Sequence, residues 1–280
     1  MHQKIGTIQT LQVLRQIDTG YVLENDILLH HNEANIELTD EDTVEVFLYQ
    51  DKKGQTVATT QLPTIQMDVY GWAPVVEVVP HLGVFVNIGT TKEILVSKDD
   101  LPLFEDVWPA VGDELYVTLG KDQKGRLLAI PATEGVLERL FEFAPENILN
   151  STVTGRIYRT DREGSTVITE DGYRGFIHHT ERKQEPRLGE HVEGRVIDVK
   201  EDGTINLSLR PLKQHSMGED ADAILAHLED NDGVIPFSDK SDPEDIRDTF
   251  HISKAAFKRA LGKLMKEKRI EQRDGKTFLL

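Results

Sequence analysis

The sequence predicts a mainly β protein in which three small antiparallel barrels follow one another and an α+β module closes the chain. A strand-and-turn pattern that occurs three times before residue 212 predicts the barrels. A change to helical periodicity after Pro211 predicts the last module. The composition, with 38% hydrophobic and 29% charged residues, is typical of folded proteins, and the lack of cysteine excludes disulfides and thiolate metal sites.

Each copy of the pattern contains a short apolar triplet, a second apolar strand and a glycine-centred turn that leads into a closing strand. The triplets are Leu28-Leu29-His30, Leu95-Val96-Ser97 and Phe176-Ile177-His178. Alternating apolar and polar residues with frequent turn signals are typical of small barrels. One large β-sandwich is the alternative, but copies of about 60 residues favour compact five-stranded barrels packed side by side.

The pattern also predicts where the modules begin and end. The barrels are expected at residues 1–65, 66–132 and 151–213, and the last module at 214–280. Residues 133–150 form a linker, in which residues 136–141 are expected to be helical and to fix the angle between the second and third barrels.

The last module has the order of elements of a winged helix. A first helix is indicated by the periodicity of residues 221–228. Asp242 and Pro243 begin a second helix, because aspartate caps a helix and proline suits its first turn. Ser253 is expected to cap a longer third helix at residues 254 to about 268.

A hairpin and an amphipathic third helix complete the predicted winged helix. Asp274-Gly275 favours the type I′ turn of a two-residue hairpin. The apolar stripe of the third helix consists of Ala256, Phe257, Ala260, Leu261, Leu264 and Met265. Its basic residues are Lys254, Lys258, Arg259, Lys263, Lys266 and Arg269. We expect these cations to contact nucleic acid, as in helix-turn-helix proteins, or a protein partner.

The net charge of −17 argues against nucleic acid at first sight, since phosphate binding usually depends on a basic surface. The charge is unevenly distributed: −6 for residues 1–65, −5 for 66–132, −3 for 133–150 and 0 for 151–213. Residues 214–280 carry −3, but nine Lys or Arg and only three acids occur between Lys254 and Lys276. A nucleic-acid site is therefore expected in the C-terminal half.

The third copy resembles the repeat of ribosomal protein S-one, a variant of the OB fold. The resemblance rests on residues 175–181 (Gly-Phe-Ile-His-His-Thr-Glu), on Leu188-Gly189-Glu190 before the second apolar strand, and on residues 202–210. The second copy matches through Gly83-Val84-Phe85-Val86 and the first through Gly20-Tyr21-Val22. Three such barrels with a terminal winged helix resemble the conserved virulence factor B family of Gram-positive bacteria. That resemblance implies RNA binding and post-transcriptional control, without catalytic activity.

The resemblance also implies which residues bind RNA. OB-type barrels stack bases on exposed rings while cations follow the phosphates, and each base contributes about 1–3 kcal/mol. The positions implied are Tyr21, His30, Phe85 and His178. Tyr173 and Phe176 lie close enough in sequence to substitute for the missing ring of the third copy, and Arg174, Arg195 and Arg210 are its expected phosphate contacts. Ser97 replaces the histidine in the second copy, and Thr166 replaces the ring in the third. Alternatively, the phenylalanines fill the core, the histidines are structural and the arginines pair with acids.

Patterns typical of enzymes do not occur in the sequence: there is no phosphate-binding loop, dinucleotide fingerprint or His-Glu-x-x-His. The pairs His30-His31 and His178-His179 are expected to point to opposite faces of a strand and so to hold no metal. With no signal peptide or membrane span visible, we expect a cytoplasmic, non-enzymatic protein that binds single-stranded RNA without a cofactor. The alternatives are a winged-helix DNA-binding regulator and an acidic adaptor for ribosome- or polymerase-associated proteins.

Overall fold

A computed structural model describes residues 5–51, 53–211 and 213–280, and the chain divides into two compact units, residues 1–209 and 210–280. The first unit contains three five-stranded sheets, and the second is a winged helix. The predicted fold class, three tandem OB-type barrels followed by a winged helix, is therefore confirmed. Within the described residues, no helix has the length and apolar character needed to cross a bilayer.

The first and third sheets are closed barrels with the same strand order. The first consists of β1 (Ile8–Ile17), β2 (Gly20–Leu23), β3 (Ile27–His30), β4 (Thr43–Gln50) and β5 (Thr56–Thr59), in the order β1-β2-β3-β5-β4. The second sheet consists of β6 (Gly71–Val79), β7 (Gly83–Val86), β8 (Ile94–Ser97), β9 (Glu114–Lys121) and β10 (Leu127–Pro131), in the order β10-β9-β6-β7-β8. The third consists of β11 (Thr152–Thr160), β12 (Gly164–Thr169), β13 (Arg174–His178), β14 (His191–Val199) and β15 (Ile205–Ser208), in the order β11-β12-β13-β15-β14.

A glycine opens the second strand of every barrel because another strand lies too close for a side chain. A Cβ atom on Gly20, Gly83 or Gly164 would lie 2.1, 2.0 or 2.3 Å from a carbonyl oxygen of the neighbouring strand. Gly20 and Gly83 also have φ angles of +154° and +142°, which L-residues rarely adopt. The close contact at this glycine therefore fixes the register of the second and third strands. Because the glycine is equivalent in all three barrels, the three copies can be compared residue by residue from it.

The three barrels pack against one another through a shared apolar cluster. The core of the second barrel includes Phe47 and Tyr49 from β4 of the first barrel and Leu188 from the third. The first and third barrels also have cores of their own, which contain Leu29 and Ile177 respectively. The side-by-side packing expected from the small size of each copy is thus observed.

The linker helix differs from the prediction. Helix α1 (Glu134–Leu137) begins two residues early and passes directly into a 3-10 turn over Glu138–Leu140. Phe141 is already extended, and the Glu142 N–H donates to the carbonyl oxygen of Gly172. The helix stops early because the chain joins the edge of the third barrel at this point.

The second unit contains the predicted helices and hairpin in the predicted order, with one additional strand between the first two helices and a first helix that begins before the predicted residues 221–228. It consists of α2 (Lys213–Asp230), β16 (Val234–Ile235), α3 (Pro243–Phe250), α4 (Lys254–Lys266), β17 (Ile270–Arg273) and β18 (Lys276–Leu279). Asp242 and Ser253 cap α3 and α4 as predicted, by accepting from the Glu244 and Ala256 N–H groups. Helix α4 ends two residues early, since Lys268 adopts a left-handed φ of 57°. Met265 is 41% exposed, so its assignment to the apolar stripe was wrong.

Candidate nucleic-acid interface

The outer surface of the third barrel carries a row of residues that lie opposite one another across the strands. Cross-strand partners point to the same face of a sheet, and the register places Arg159, Thr166, Phe176, Asn206 and Asp198 in one such row. Phe176 is half-buried, whereas its strand neighbours Gly175 and Ile177 are buried. Its ring therefore lies on the outer surface, and the alternative that it fills the barrel is wrong.

Two polar atoms in this row are buried without a hydrogen bond. Within the described part of the chain, neither Thr166 Oγ1 nor Asn206 Oδ1 has a partner, and Thr166 is only 1% exposed. Both residues are register partners of Phe176. A buried oxygen left unpaired costs about 1–3 kcal/mol. Because both atoms are covered, the row offers a ligand the Phe176 ring and not these oxygens.

The histidine at the end of the third strand has a structural role and an exposed ring. His178 Nδ1 accepts from the Thr180 N–H at 3.3 Å and so caps the following 3-10 turn. His30 and Ser97 do the same in the other barrels, by accepting from the second N–H that follows. The capping role explains why serine can replace the histidine. The ring of His178 remains exposed, with its centroid 6.4 Å from that of Phe176.

The two adjacent histidines do not point apart, so that expectation was wrong. The ring centroids of His178 and His179 are 4.2 Å apart. Strand alternation ends at His178, because His179 is the first residue of the 3-10 turn. Among the described residues there is still no group of three or more histidine, aspartate or glutamate side chains able to hold a metal ion.

The ring predicted in the first barrel lies in its core. Tyr21 is 4% exposed, and its hydroxyl oxygen accepts from the Leu38 N–H at 3.3 Å. Its register partner is the fully buried Leu29, whereas Val22 occupies the outward position that Phe85 has in the second barrel. The prediction for Tyr21 was wrong because an offset of one residue moves a strand side chain to the opposite face.

The second barrel keeps an outward ring. Phe85 is half-buried between the fully buried Val84 and Val86, so it does not fill the core. It pairs with Leu95 on β8, as Thr166 pairs with Phe176 in the third barrel. The two barrels therefore place one ring each on the same face, but on different strands.

Most arginines of the third barrel form ion pairs within the protein. The pairs are Arg156–Glu114, Arg159–Glu134, Arg174–Glu134, Arg182–Glu185 and Arg187–Asp113. Three of these carboxylates belong to the second barrel or the linker. These arginines pair with acids, which was the alternative interpretation of the sequence. Most of the arginines of this barrel therefore serve to attach it to the neighbouring barrel and the linker.

Arg174 thus has a different role from the predicted phosphate contact. Its Nε and Nη2 atoms donate to Glu134 Oε1 at 2.9 and 2.5 Å. Burial raises the pKa of Glu134 to some extent, but the hydrogen bond and charge of Arg174, together with Arg159, lower this pKa below its ordinary range. Burial raises the pKa of the neighbouring Tyr158 to about 12. At neutral pH the linker carboxylate is therefore ionised and held by the third barrel.

We expect the Glu134 cluster to stabilise the first unit only where the carboxylate is ionised. Because its pKa is lowered on folding, the stabilisation is full above the ordinary value of 4.5 and disappears as the pH falls through the folded pKa. Glu134→Gln should lower the free energy of unfolding by about 1.5–3 kcal/mol at pH 7. Urea unfolding at pH 7 and below pH 4 measures this difference, which should shrink in acid. Glu138→Gln, on the exposed side of the same linker, is the control; a difference independent of pH would contradict the assignment.

The remaining predicted RNA-binding residues have varied positions. Tyr173 is half-buried against the core of the third barrel, so it does not offer a free ring. Arg195 is half-buried on β14, and no ion pair joins it to any residue that the structure describes. Arg210 is exposed at the start of the second unit. The RNA contacts predicted for Arg195 and Arg210 stay predictions.

The predicted basic surface of the winged helix lies on α4 and the turn after it. Lys258, Arg259, Lys266 and Arg269 are exposed. The contacts of this surface are weak: Lys258 lies 3.7 Å from Asp239, and Lys263 lies 4.0 Å from Glu267. Such surface pairs contribute at most about 1 kcal/mol each. These lysine and arginine side chains therefore remain able to bind a negatively charged partner.

A second group of rings, which the sequence reasoning missed, lies on the outer face of the second barrel. Trp72 and Tyr116 are register partners on β6 and β9, with ring centroids 5.1 Å apart. Tyr70 stacks on Tyr116 at 5.7 Å, and the Arg156 guanidinium lies 5.3 Å from the Trp72 ring. The signal in the sequence was the spacing of Tyr70 and Trp72, since strand residues two apart share a face.

The geometry defines the class of the protein: tandem S1-like barrels, the second and third of which present outward rings, followed by a winged helix. Family models match residue ranges along most of the chain. They are an S1 domain (5–61), the CvfB first S1-like domain (70–130), the second domain of virulence regulatory factor CvfB (137–211) and a CvfB-like winged helix domain (222–279). The chain belongs to the conserved virulence factor B family.

Relatives match over the full length of the chain. The Bacillus subtilis protein YitL is 50% identical over 98% of this chain and 93% of its own. Conserved virulence factor B of Staphylococcus epidermidis is 37% identical over 98% and 94%. A crystal structure from Streptococcus pneumoniae, described as a multidomain protein with nucleic acid binding domains, is 38% identical, covers 99% of both chains and has a TM-score of 0.67. The resemblance inferred from the sequence is confirmed.

Proposed function

We propose that this protein binds single-stranded RNA and regulates gene expression after transcription, without catalysing a reaction. The observation that carries the proposal is the outward row of the third barrel. There, the half-buried ring of Phe176 lies beside the exposed ring of His178 and between two buried oxygens without partners. Rings on a barrel surface accept stacked bases.

The cations available for RNA are few in the barrels and more numerous in the winged helix. Five arginines of the third barrel are engaged in ion pairs, whereas Arg162 and Lys183 are exposed. Helix α4 adds Lys258, Arg259 and Lys266. We therefore expect base stacking to contribute a large share of the affinity, with the winged helix supplying phosphate contacts. The Streptococcus pneumoniae relative, described as having nucleic acid binding domains, supports this assignment.

Direct binding of the full-length protein to RNA tests the proposal. An unstructured fluorescent RNA of mixed sequence should bind with micromolar or better affinity at low salt. The logarithm of the affinity should fall with the logarithm of the salt concentration, with a slope of about −0.7 for each phosphate neutralised. No anisotropy change at low salt would refute RNA binding. Tighter binding to duplex DNA would favour a winged-helix DNA regulator, and protein partners retained after nuclease treatment would favour an adaptor.

A further inference from the structure

A cavity lies between the second and third barrels, at the end of the aromatic group formed by Tyr70, Tyr116 and Trp72. Its volume is about 370 Å³, within the range of roughly 300–1,000 Å³ typical of small-molecule sites. Trp72 forms one wall, and Leu140 and Ile168 form apolar surfaces. The cavity thus combines a flat ring with aliphatic contacts, as a site for a planar ligand requires.

Two charged side chains of opposite sign also line the cavity. Arg156 donates through Nε to Glu114 Oε2 at 2.5 Å, a bond that does not use its two Nη groups. Glu170 Oε1 accepts from His191 Nε2 at 3.1 Å, and the carboxylate also accepts a hydrogen bond from Thr154. Hydrogen bonds from His191 and Thr154 lower the pKa of Glu170, so this carboxylate is ionised at neutral pH. The site therefore offers donors from one side chain and acceptors from another.

This combination matches one nucleobase better than the others. Guanine has adjacent N1–H and N2–H donors, which suit a carboxylate, and O6 and N7 acceptors, which suit a guanidinium. Adenine and cytosine each have an amino group but no N–H on the adjacent ring nitrogen, and uracil has a ring N–H but no amino group, so none of them offers a carboxylate two adjacent donors. Phosphate groups are disfavoured beside Glu114 and Glu170, so the base and not the phosphate is expected to enter.

We propose that the cavity between Trp72, Arg156 and Glu170 is a guanine-binding site. The guanine can come from a free nucleoside or from a nucleotide of a bound RNA strand. In the second case the inference rests on the proposed RNA binding. Tyr70 and Tyr116 then extend the stacking surface away from the cavity, and a guanine in the strand is held by Glu170 and Arg156.

Tryptophan fluorescence of the full-length protein tests the site, because only one of the two tryptophans lies in the cavity. Trp108 is 6% exposed and its Nε1 is bonded to the Pro102 carbonyl oxygen, whereas Trp72 is half-buried in the cavity wall. Guanosine should quench the emission, and adenosine, cytidine and uridine should need about tenfold higher concentrations. Trp72→Phe should abolish the quenching, which assigns the signal to the cavity.

Matched carboxylate variants test the recognition of the base. Glu170→Gln should weaken guanosine binding about tenfold, because an amide replaces one charged acceptor by a donor. Glu201→Gln, an exposed residue of the same barrel outside the cavity lining, should have no effect. Equal quenching by all four nucleosides, or no effect of Glu170→Gln, would overturn the guanine site. Circular dichroism of each variant shows that it is folded.

RNA strands distinguish the two sources of the base. A strand with one guanine should bind more tightly than the same strand with adenine there, and the preference should disappear in Glu170→Gln. RNA binding without any guanine preference, and without quenching by guanosine, would overturn the site but leave the proposed RNA binding intact. Quenching by guanosine without any RNA binding would support a nucleoside site and refute the proposed function.

Discussion

Phe176→Ala should weaken the binding of single-stranded RNA by about tenfold, because a stacked base contributes about 1–3 kcal/mol. The ring lies on the outer surface of the third barrel next to His178. Its removal also uncovers Thr166 and Asn206, whose oxygens can then bond to water. The loss of stability should therefore be well below the roughly 3–5 kcal/mol typical of a core phenylalanine. Fluorescence anisotropy with full-length protein measures the affinity, and a thermal melt measures the stability.

An exposed phenylalanine on another barrel provides the control for this prediction. Phe104 is 71% exposed in the second barrel and has no ring partner among the described residues. Phe104→Ala should leave RNA affinity unchanged, while Phe176→Tyr should largely preserve it because the stacking face remains. An equal loss in Phe104→Ala would show that any exposed ring contributes nonspecifically. Unchanged affinity in Phe176→Ala would remove the third barrel's outer row from the interface.

The fold could be predicted from the sequence because its signals are local. The triplet that ends in His30, Ser97 or His178 stands at a nearly constant distance from a glycine-centred turn, so three copies of one barrel can be aligned. The caps at Asp242 and Ser253 likewise act on N–H groups two or three residues away. Signals between residues this close in sequence can be recognised in a single sequence, without knowledge of how the rest of the chain folds.

The site was predicted less well, because its residues depend on partners far away in sequence or on exact register. Arg187 pairs with Asp113, which is 74 residues away in sequence, and Arg156 pairs with Glu114, which is 42 residues away. A count of charges within one segment therefore treats both arginines as free cations. Tyr21 lies one residue before the outward position of its strand, and such an offset moves the side chain to the opposite face. The cavity could not be predicted because its residues are far apart in sequence: Trp72 and Glu170 belong to different barrels.

Asp113→Ala should destabilise the first unit by about 2–3 kcal/mol, because it removes the hydrogen-bonded partner of a partly buried arginine. The Arg187 guanidinium keeps only a 3.5 Å contact with Glu190, and the Ala110 N–H also loses its acceptor. Asp113 is 8% exposed and binds Arg187 through both oxygens, at 2.9 and 3.1 Å. A buried pair broken on one side typically costs about 3–5 kcal/mol, and the 35% exposure of Arg187 reduces that figure. Urea unfolding measures the loss. Glu267→Ala, which breaks the surface pair with Lys263, should cost below about 1 kcal/mol.

The double variant Asp113→Ala with Arg187→Ala separates an attachment role from a merely local one. It should be less destabilised than the sum of the single variants, by about 0.5–3 kcal/mol, because the interaction between the two side chains is lost only once. The neighbouring Leu188 lies in the core of the second barrel, so the pair anchors a loop of the third barrel, just before β14, against the second barrel. Asp113→Ala should therefore also weaken guanosine quenching, since Trp72 and Glu170 must keep their spacing. Additive energies, or quenching unchanged in a destabilised Asp113→Ala, would show that the pair does not hold the barrels together.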